Sequence, residues 1–295
     1  MQFSTVKTYG SNFSRILPVG YSPNKAIAWW LLFFCFTGCH PTLPAQQSPA
    51  GRFLWETEAT AERFYTDKLQ QLYLVTATGE LIKYDAAGRE VFRYNNNRLG
   101  RLGQVDATNP FNLLLYYPDF LQVIVLDRTL SEVATLNLFD LGYVQVQALG
   151  LSSDNQIWVY DEQRFRLSKI SPEGQVQQES SDLSLQLEHP PRPSFLLERR
   201  QTVFLVDPER GVYLFDIFGQ PLQTIELRGL SRVQVHGDYL WYAQEGRLFS
   251  YHLPSGKVQE MPLPAEAGAA GQIQVQKDRL YVLQDHKVRV LALTQ

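Results

Sequence analysis

Histidine and carboxylate side chains are the groups in this chain that could transfer protons or bind a metal ion. The chain has five histidines: His40, His189, His236, His252 and His286. No pair of them is spaced along the sequence as the ligands of a metal site are. Asp285 and His286 form the one acid–base pair that we keep as a candidate for chemistry. The chain has no G-x-S-x-G motif, phosphate-binding loop or dinucleotide fingerprint. The sequence therefore predicts no catalytic residue, metal ion or cofactor.

Charged side chains recur between the second and third strands of a repeated pattern, and we expect them near the mouth of a central channel. They are Asp119, Asp161, Arg164, Asp207, Arg210, Glu245 and Asp285. His286, together with His189 and Arg192 from a long connection, completes the candidate interaction face. Converging carboxylates could hold Ca²⁺ through oxygen ligands, so a Ca²⁺-dependent hydrolase or lyase is one alternative. Aspartate also closes hairpins, and this structural role is the preferred interpretation.

These side chains belong to short strand-like segments that recur along the chain. The segments begin 37 to 46 residues apart, at Leu72, Leu114, Ile157, Val203, Leu240 and Leu280. A period near forty residues, built of short alternating strands, is typical of a β-propeller. The sequence predicts an all-β fold, a six-bladed propeller of four-stranded antiparallel blades.

The two ends of the repeat region predict how the ring closes. Arg52–Thr60 reads as a single strand before the first full repeat, whereas the last repeat has only three strands before the chain ends. We expect the first strand to complete the last blade, which leaves no open gap in the ring. The propeller domain then spans residues 52–295.

Two local signals recur in the blades. The turn between the third and fourth strands reads Asp85-x-x-Gly88, and Ser171–Gly174 and Asp216–Gly219 follow the same pattern. The first side chain accepts backbone N–H bonds and the glycine takes a positive φ.

The second strand of each blade carries a large aromatic residue for the packing between sheets: Tyr73, Tyr116, Trp158, Phe204, Trp241 and Tyr281.

Long connections are expected on one face of the propeller. The links from the outermost strand of one blade to the innermost strand of the next are long: Asn95–Gly103, Asn137–Gly142, Ser180–Pro193 and Pro262–Gly271. They share a face with the turns between second and third strands, and we call this the loop-rich face. The other turns are short and form the turn face. Binding sites usually lie on long ordered loops of a rigid scaffold, so the loop-rich face is the candidate functional surface.

The charge and cysteine content exclude some classes of partner and site. The first 38 residues carry Lys7, Arg15 and Lys25 and no acidic residue, so the remainder has 24 basic and 30 acidic side chains. Nucleic-acid binding needs a basic field, and we expect no such partner. The only cysteines are Cys35 and Cys39, so neither a disulfide nor a cysteine zinc site can stabilise the propeller.

The N-terminal segment has the parts of a secretory signal. Ala26–Phe36 is an apolar run of eleven residues after Lys25, too short for the roughly 20 residues that cross a bilayer. Phe36-Thr37-Gly38-Cys39 resembles the lipobox of bacterial lipoproteins, with Phe36 where leucine is usual. The resemblance implies a signal peptide over residues 1–38, cleavage before Cys39 and lipidation of that cysteine. The alternatives are an ordinary secretory signal and a buried apolar segment with a chance cysteine.

A tether is predicted to follow the lipid. Residues 39–51 are rich in proline and uncharged apart from His40, so we expect an extended, unstructured link. By the resemblance, His40 in place of aspartate after the cysteine implies sorting to the outer membrane. No acidic cluster of the kind used for surface export follows Cys39. We expect a lipid-anchored protein that faces the periplasm, with the cell surface as the alternative.

In length and in the D-x-x-G turn, the repeats resemble bacterial propellers of the NHL, YWTD and quinoprotein-like kinds, without their defining tetrapeptides. Lipid-anchored propellers of Gram-negative envelopes suggest a role by analogy. The first hypothesis is a non-enzymatic envelope scaffold that docks a partner protein through the loop-rich face. The alternatives are the hydrolase or lyase above and a glycan-binding module that uses the aromatic residues Tyr117, Phe120 and Phe139.

Overall fold

The computed structural model describes residues 51–268 and 271–293. The predicted signal peptide (1–38), Cys39 and all but the last residue of the predicted tether (39–51) lie outside the described residues. Within the described part, no helix is both long and apolar enough to cross a membrane.

The described chain is built almost entirely of short strands. In order they are β1 (Gly51–Glu56), β2 (Arg63–Thr66), β3 (Leu72–Val75), β4 (Leu81–Tyr84), β5 (Glu90–Tyr94), β6 (Gln104–Asn109), β7 (Asn112–Tyr117), β8 (Gln122–Asp127), β9 (Glu132–Asn137), β10 (Leu149–Leu151), β11 (Ile157–Asp161), β12 (Arg166–Ile170), β13 (Val176–Glu179), β14 (Phe195–Arg199), β15 (Thr202–Asp207), β16 (Gly211–Asp216), β17 (Pro221–Ile225), β18 (Gln234–His236), β19 (Tyr239–Gln244), β20 (Arg247–His252), β21 (Val258–Met261), β22 (Gln272–Gln276), β23 (Arg279–Gln284) and β24 (Lys287–Leu293). Four single 3₁₀ turns lie in the connections: Pro118–Phe120, Phe139–Leu141, Leu183–Leu185 and Ala265–Ala267.

Six four-stranded antiparallel sheets form the blades of a β-propeller, as predicted. Five blades use four consecutive strands, from β2–β5 to β18–β21, and the sixth has the order β1-β24-β23-β22. The pairing of β1 with β24 runs from Gly51 opposite Leu293 to Glu56 opposite Arg289, with a bulge between Phe53 and Trp55. The predicted closure by the N-terminal strand is confirmed.

The hydrophobic core is divided among the contacts between neighbouring blades. Six buried clusters fill them, and each draws side chains from two adjacent sheets. A middle strand is therefore covered on both of its faces, which explains why all four residues of β3 are buried. The outermost strand β5 is mostly exposed. The ring is held by blade-to-blade packing, without disulfides in the described part.

The predicted aromatic residues fill these contacts in five of the six blades. Tyr73, Tyr116, Trp158, Phe204 and Tyr281 are at most 2% exposed. Trp241 differs, because it is only half-buried while Tyr242, the next residue of β19, enters the core between the fourth and fifth blades. Successive side chains of a strand point to opposite sides, so Trp241 faces the other way.

The turns from third to fourth strand follow the predicted chemistry. The Oδ1 atom of Asp85 accepts the backbone N–H groups of Ala87 and Arg89 at 2.9 Å each, and Gly88 has φ +83°. Asp127 accepts equivalent bonds from Thr129 and Ser131 at 2.8 and 2.9 Å, although Leu130 occupies the glycine position with φ +60°. The sequence pattern missed this turn because leucine rarely adopts a positive φ.

Candidate functional site

The ten predicted residues of the interaction face all lie at the loop-rich face, eight in connections and two, Asp161 and Asp207, as the last residues of β11 and β15. Eight of them are exposed: Asp119, Arg164, His189, Arg192, Arg210, Glu245, Asp285 and His286. Asp161 and Asp207 are only 2% exposed, so the expectation that they are surface contact residues is wrong.

These two buried aspartates hold loop backbone in place. Asp161 Oδ1 accepts the N–H groups of Gln163 and Arg164 at 2.9 and 3.0 Å. Asp207 Oδ1 accepts those of Glu209 and Arg210 at 2.8 and 3.1 Å, and its Oδ2 accepts the Arg192 N–H at 2.8 Å. A buried carboxylate that accepts several N–H groups is a structural element of its loop. Asp207 thereby joins the long connection around Arg192 to its own blade.

The loop carboxylates do not converge on the channel. Asp119 accepts the Arg101 N–H at 3.1 Å in the second blade, and Glu245 lies 3.3 Å from Arg247 in the fifth. Residues 51–268 and 271–293 contain no group of three or more His, Cys, Asp or Glu side chains that could hold a metal ion. The geometry required for the Ca²⁺-dependent alternative is therefore not seen in this part of the chain.

Asp285 and His286 form the tight turn between β23 and β24. Both have a positive φ, +49° and +60°, as a two-residue hairpin turn requires. The His286 carbonyl accepts the Ala61 N–H at 2.6 Å, which ties this turn to the chain entering the first blade. The pair thus has a clear role in the hairpin, and both side chains face solvent.

A polar cluster lies on the third blade and the connection that enters it, at the loop-rich face. The Arg164 guanidinium is 3.7 Å from Asp161, and the neighbouring Glu162 accepts a 2.9 Å bond from Gln145. The other carboxylate oxygen of Glu162 is buried without a partner in the described part of the chain, and burial raises the pKa of this side chain. Sequence reasoning missed Glu162 because nothing in the local sequence indicates that its side chain is buried.

Exposed apolar side chains form a second feature of this face, which we call the loop-face patch. It consists of Phe120, Phe139, Val144 and Leu185, which are 54%, 63%, 51% and 84% exposed. Phe120 and Phe139 were predicted as exposed aromatic residues, and they are. Tyr117, predicted alongside them, is 1% exposed and belongs to the core between the first and second blades.

The segments that carry the patch are bonded to one another. The Leu138 N–H donates to the Leu121 carbonyl at 2.9 Å, which joins the turns of Phe120 and Phe139. Arg164 Nη2 donates to the Gly142 carbonyl at 3.3 Å. The Leu183 N–H donates to the Phe165 carbonyl at 2.9 Å and so anchors the turn that carries Leu185. The patch therefore spans consecutive connections of the second and third blades.

A large cavity opens on the opposite face. A cavity of about 840 Å³ lies at the end of the central channel among the turns that join first and second strands, and we call it the turn-face cavity. All six blades line it, and its wall includes Asp67, Lys68, Phe111, Arg199, His236, Trp241 and Lys277. The side chains around this cavity come from the turns between first and second strands, because the innermost strands, which border the channel, end in these turns.

The channel narrows toward the loop-rich face. The Arg232 guanidinium carbon lies 4.4 Å from the ring centre of Tyr65 and 5.3 Å from that of Phe195. Its Nη2 donates to the Tyr65 hydroxyl at 3.3 Å, while Nη1 is buried and none of the described residues bonds it. Burial alone would raise the pKa of Tyr65, but the charges of Arg232 and Arg63 outweigh burial and hold the pKa below its ordinary value.

Comparisons with known proteins show the fold. No protein-family model and no curated protein matches the chain. Virginiamycin B lyase from Staphylococcus aureus is similar in structure, with a TM-score of 0.53 and 10% identity over 81% of this chain and 99% of that chain. PorZ, a surface component of the type-IX secretion system of Porphyromonas gingivalis, gives a TM-score of 0.50 and 16% identity over 78% of this chain and 29% of its own. BamB from Moraxella catarrhalis gives a TM-score of 0.44 and 16% identity over 76% of this chain and 70% of its own. Such low identities establish the propeller architecture alone.

Proposed function

We propose that this protein is a non-enzymatic lipoprotein of the cell envelope that binds a partner protein through the loop-face patch. The anchor rests on the sequence Phe36-Thr37-Gly38-Cys39, which resembles a lipobox. In the proposal, Cys39 carries the lipid and the propeller faces the periplasm from the outer membrane, with the cell surface as the alternative. Several acyl chains bury more CH₂ groups than the single chain that gives only marginal anchoring.

The loop-face patch is the observation that carries the proposed binding role. Its four apolar side chains lie on connections that hydrogen bonds join, and Leu185 is 84% exposed. The turn face also exposes four large apolar side chains, but each of these is on a different blade: Leu69, Phe111, Phe218 and Tyr239. Exposed apolar patches are typical of protein–protein interfaces, and aromatic anchors contribute most of the binding energy there.

The charged residues around the patch fit a rim better than a catalytic centre. Asp161 and Asp207 are buried and occupied by backbone N–H groups, whereas Asp119, Arg164 and Arg192 are exposed. Rim charges steer association and set specificity but contribute little affinity. The proposal therefore assigns recognition to the patch and orientation to these charged groups.

The test is a gentle-detergent pull-down of tagged protein from native membranes, with mass spectrometry of what co-purifies. The triple variant Phe120→Ser/Phe139→Ser/Leu185→Ser is expected to lose a stoichiometric partner. The matched variant Leu69→Ser/Phe218→Ser/Tyr239→Ser removes the same number of exposed apolar side chains from the turn face and is expected to keep it. Equal recovery by both variants, or a wild-type protein that comes out alone, would contradict the binding role.

The anchor is tested separately. Cys39→Ser is expected to abolish incorporation of labelled palmitate and to release the protein from the membrane fraction, because the thiol would be the site of lipid attachment. Cys35→Ser is the control and should behave like the wild type. A Cys39→Ser protein that stays membrane-bound with an unchanged mass would contradict the lipidation.

A further inference from the structure

The turn-face cavity has a size and a shape suited to a small molecule. Its volume of about 840 Å³ falls within the range of ligand sites, roughly 300–1,000 Å³. Toward the loop-rich face the channel shrinks to a space of about 80 Å³, bordered by Tyr65, Phe195 and Arg232. Since Arg232 lies against both rings there, the accessible entrance to the cavity is on the turn face.

The acidic groups around the cavity are already occupied. Asp67 Oδ1 accepts the N–H groups of Leu69 and Gln71 at 2.8 and 3.0 Å, and its Oδ2 accepts the Tyr73 hydroxyl at 2.9 Å. Glu198 accepts the Ser153 hydroxyl and the Trp158 indole N–H at 2.6 Å each. These carboxylates point their lone pairs into the protein and have little capacity left for a cationic ligand.

The basic groups around the cavity are not paired with acids. Lys68, Arg199 and Lys277 line its wall, and none makes an ion pair with a described acidic residue. Among residues 51–268 and 271–293, the only hydrogen bond of the Arg199 guanidinium is a 2.9 Å bond to the carbonyl of Glu198. The electrostatic balance of the cavity therefore favours an anion.

His236 and two aromatic residues complete the wall. The Nε2 atom of His236 is buried and has no hydrogen-bond partner in the described part of the chain, and the side chain borders both the cavity and the narrow channel. A buried polar atom without a partner beside a cavity is suited to bonding a ligand or a water molecule. Phe111 is 54% exposed and Trp241 is half-buried, so the same wall offers flat apolar surfaces.

We propose that the turn-face cavity binds a small organic anion with a flat apolar body, of the aromatic carboxylate class. Lys68, Arg199 and Lys277 supply the positive charge that attracts the carboxylate, His236 bonds a polar atom of the ligand, and Phe111 and Trp241 contact its ring. The site is on the face opposite the loop-face patch, and it uses none of the ten residues expected from the sequence.

The experiment is calorimetric titration of the propeller-containing chain with naphthoate and, in parallel, with naphthamide, which has the same ring and no charge. Naphthoate is expected to bind saturably at one site per chain and about tenfold more tightly than naphthamide, since one charge-assisted contact corresponds to roughly that factor. The absence of saturable binding, or equal binding of the amide, would overturn the proposal.

Variants assign the site. Lys68→Gln/Lys277→Gln changes two exposed side chains and is expected to weaken naphthoate binding about tenfold, and Arg199→Gln should weaken it similarly. Arg98→Gln/Lys257→Gln removes two exposed basic groups elsewhere and should leave binding unchanged, as should the loop-face variant Phe120→Ser/Phe139→Ser/Leu185→Ser. Binding that survives Lys68→Gln/Lys277→Gln, or that is lost only in the loop-face variant, would overturn the assignment to the cavity.

Discussion

The indole ring of Trp55 lies directly against Gly88, so that a Cβ atom added at Gly88 would be 2.5 Å from Trp55 Cδ2. Trp55 is in the closing strand β1, whereas Gly88 ends a turn of the first blade, and the ring also stacks on Tyr84 at 6.1 Å between centroids. Ring closure therefore depends on a glycine in the neighbouring blade as well as on the β1–β24 ladder.

Substitution of Gly88 should destabilise the protein more than its backbone conformation alone explains. Gly88→Ala is expected to lower the free energy of unfolding by about 2–4 kcal/mol, from a positive φ and from overpacking against the indole. Gly79→Ala is the matched control, since Gly79 has φ +82° and no atom within 4 Å of an added Cβ. Gly79→Ala should lower the free energy of unfolding by about 1–2 kcal/mol. Equal losses in urea unfolding would show that Trp55 adjusts freely.

Removal of the Asp207 carboxylate should loosen the long connection before β14. Asp207→Ala leaves the N–H groups of Arg192, Glu209 and Arg210 without their acceptor and is expected to cost about 2–4 kcal/mol. Asp216→Ala removes two comparable bonds at a more open turn, where water can replace the carboxylate, and should cost about 1 kcal/mol. Limited proteolysis would report on the connection itself. Unchanged cleavage in Asp207→Ala would contradict this role.

The pKa of Tyr65 should depend on Arg232. In the wild type the guanidinium groups lower this pKa, so the phenol should ionise below the ordinary value near 10. In Arg232→Gln one of the positive charges that lower the pKa of Tyr65 is lost, while burial still raises it. The pKa of Tyr65 is therefore expected to rise. The measurement is the tyrosinate absorbance as a function of pH, with Tyr65→Phe subtracted to isolate this residue. A Tyr65 titration that is the same in Arg232→Gln would show that the charge has no such effect.

His236 should make the protein less stable in mild acid. Burial lowers the pKa of His236, and the nearby Arg199 charge acts in the same direction. Below the unfolded pKa of about 6.5 the unfolded chain gains a proton that the folded chain refuses, so stability falls as pH drops toward the lowered folded pKa. At pH values well above 6.5, His236 is neutral in both the folded and the unfolded chain, so its titration does not change the stability. The free energy of unfolding of His236→Gln should therefore decline less between neutral pH and mild acid. Parallel pH profiles would contradict the lowered pKa.

The blades were predictable from the sequence because their signals are local. Asp85 and Gly88 define a turn within four residues, and the strands Leu72–Val75 and Leu81–Tyr84 stand on either side of it. The single strand before the first repeat and the three-stranded last repeat were enough to predict the closure. These features need no knowledge of what lies across the ring.

The site was less predictable because it depends on contacts between blades. Aspartate residues at equivalent loop positions look alike in the sequence, yet Asp119 is exposed and Asp207 is buried. Tyr117 and Trp241 were assigned by residue type, and the direction of each side chain is set by its strand's register against the neighbouring blade. Arg199 and His236 meet at the turn-face cavity only because six blades close around one axis.

The closing strand also has a mechanical consequence. The segment before Gly51 enters the propeller through β1, the outermost strand of the sixth blade, and β1 is held by its ladder to β24. A force that pulls on that segment along the direction of β1 acts first on the hydrogen bonds between β1 and β24. These bonds are loaded in shear, so they carry the force together. The point where tension enters and the joint that keeps the ring closed are the same pair of strands. Tension on the N-terminus would accordingly open the ring at this ladder before it unfolds another blade.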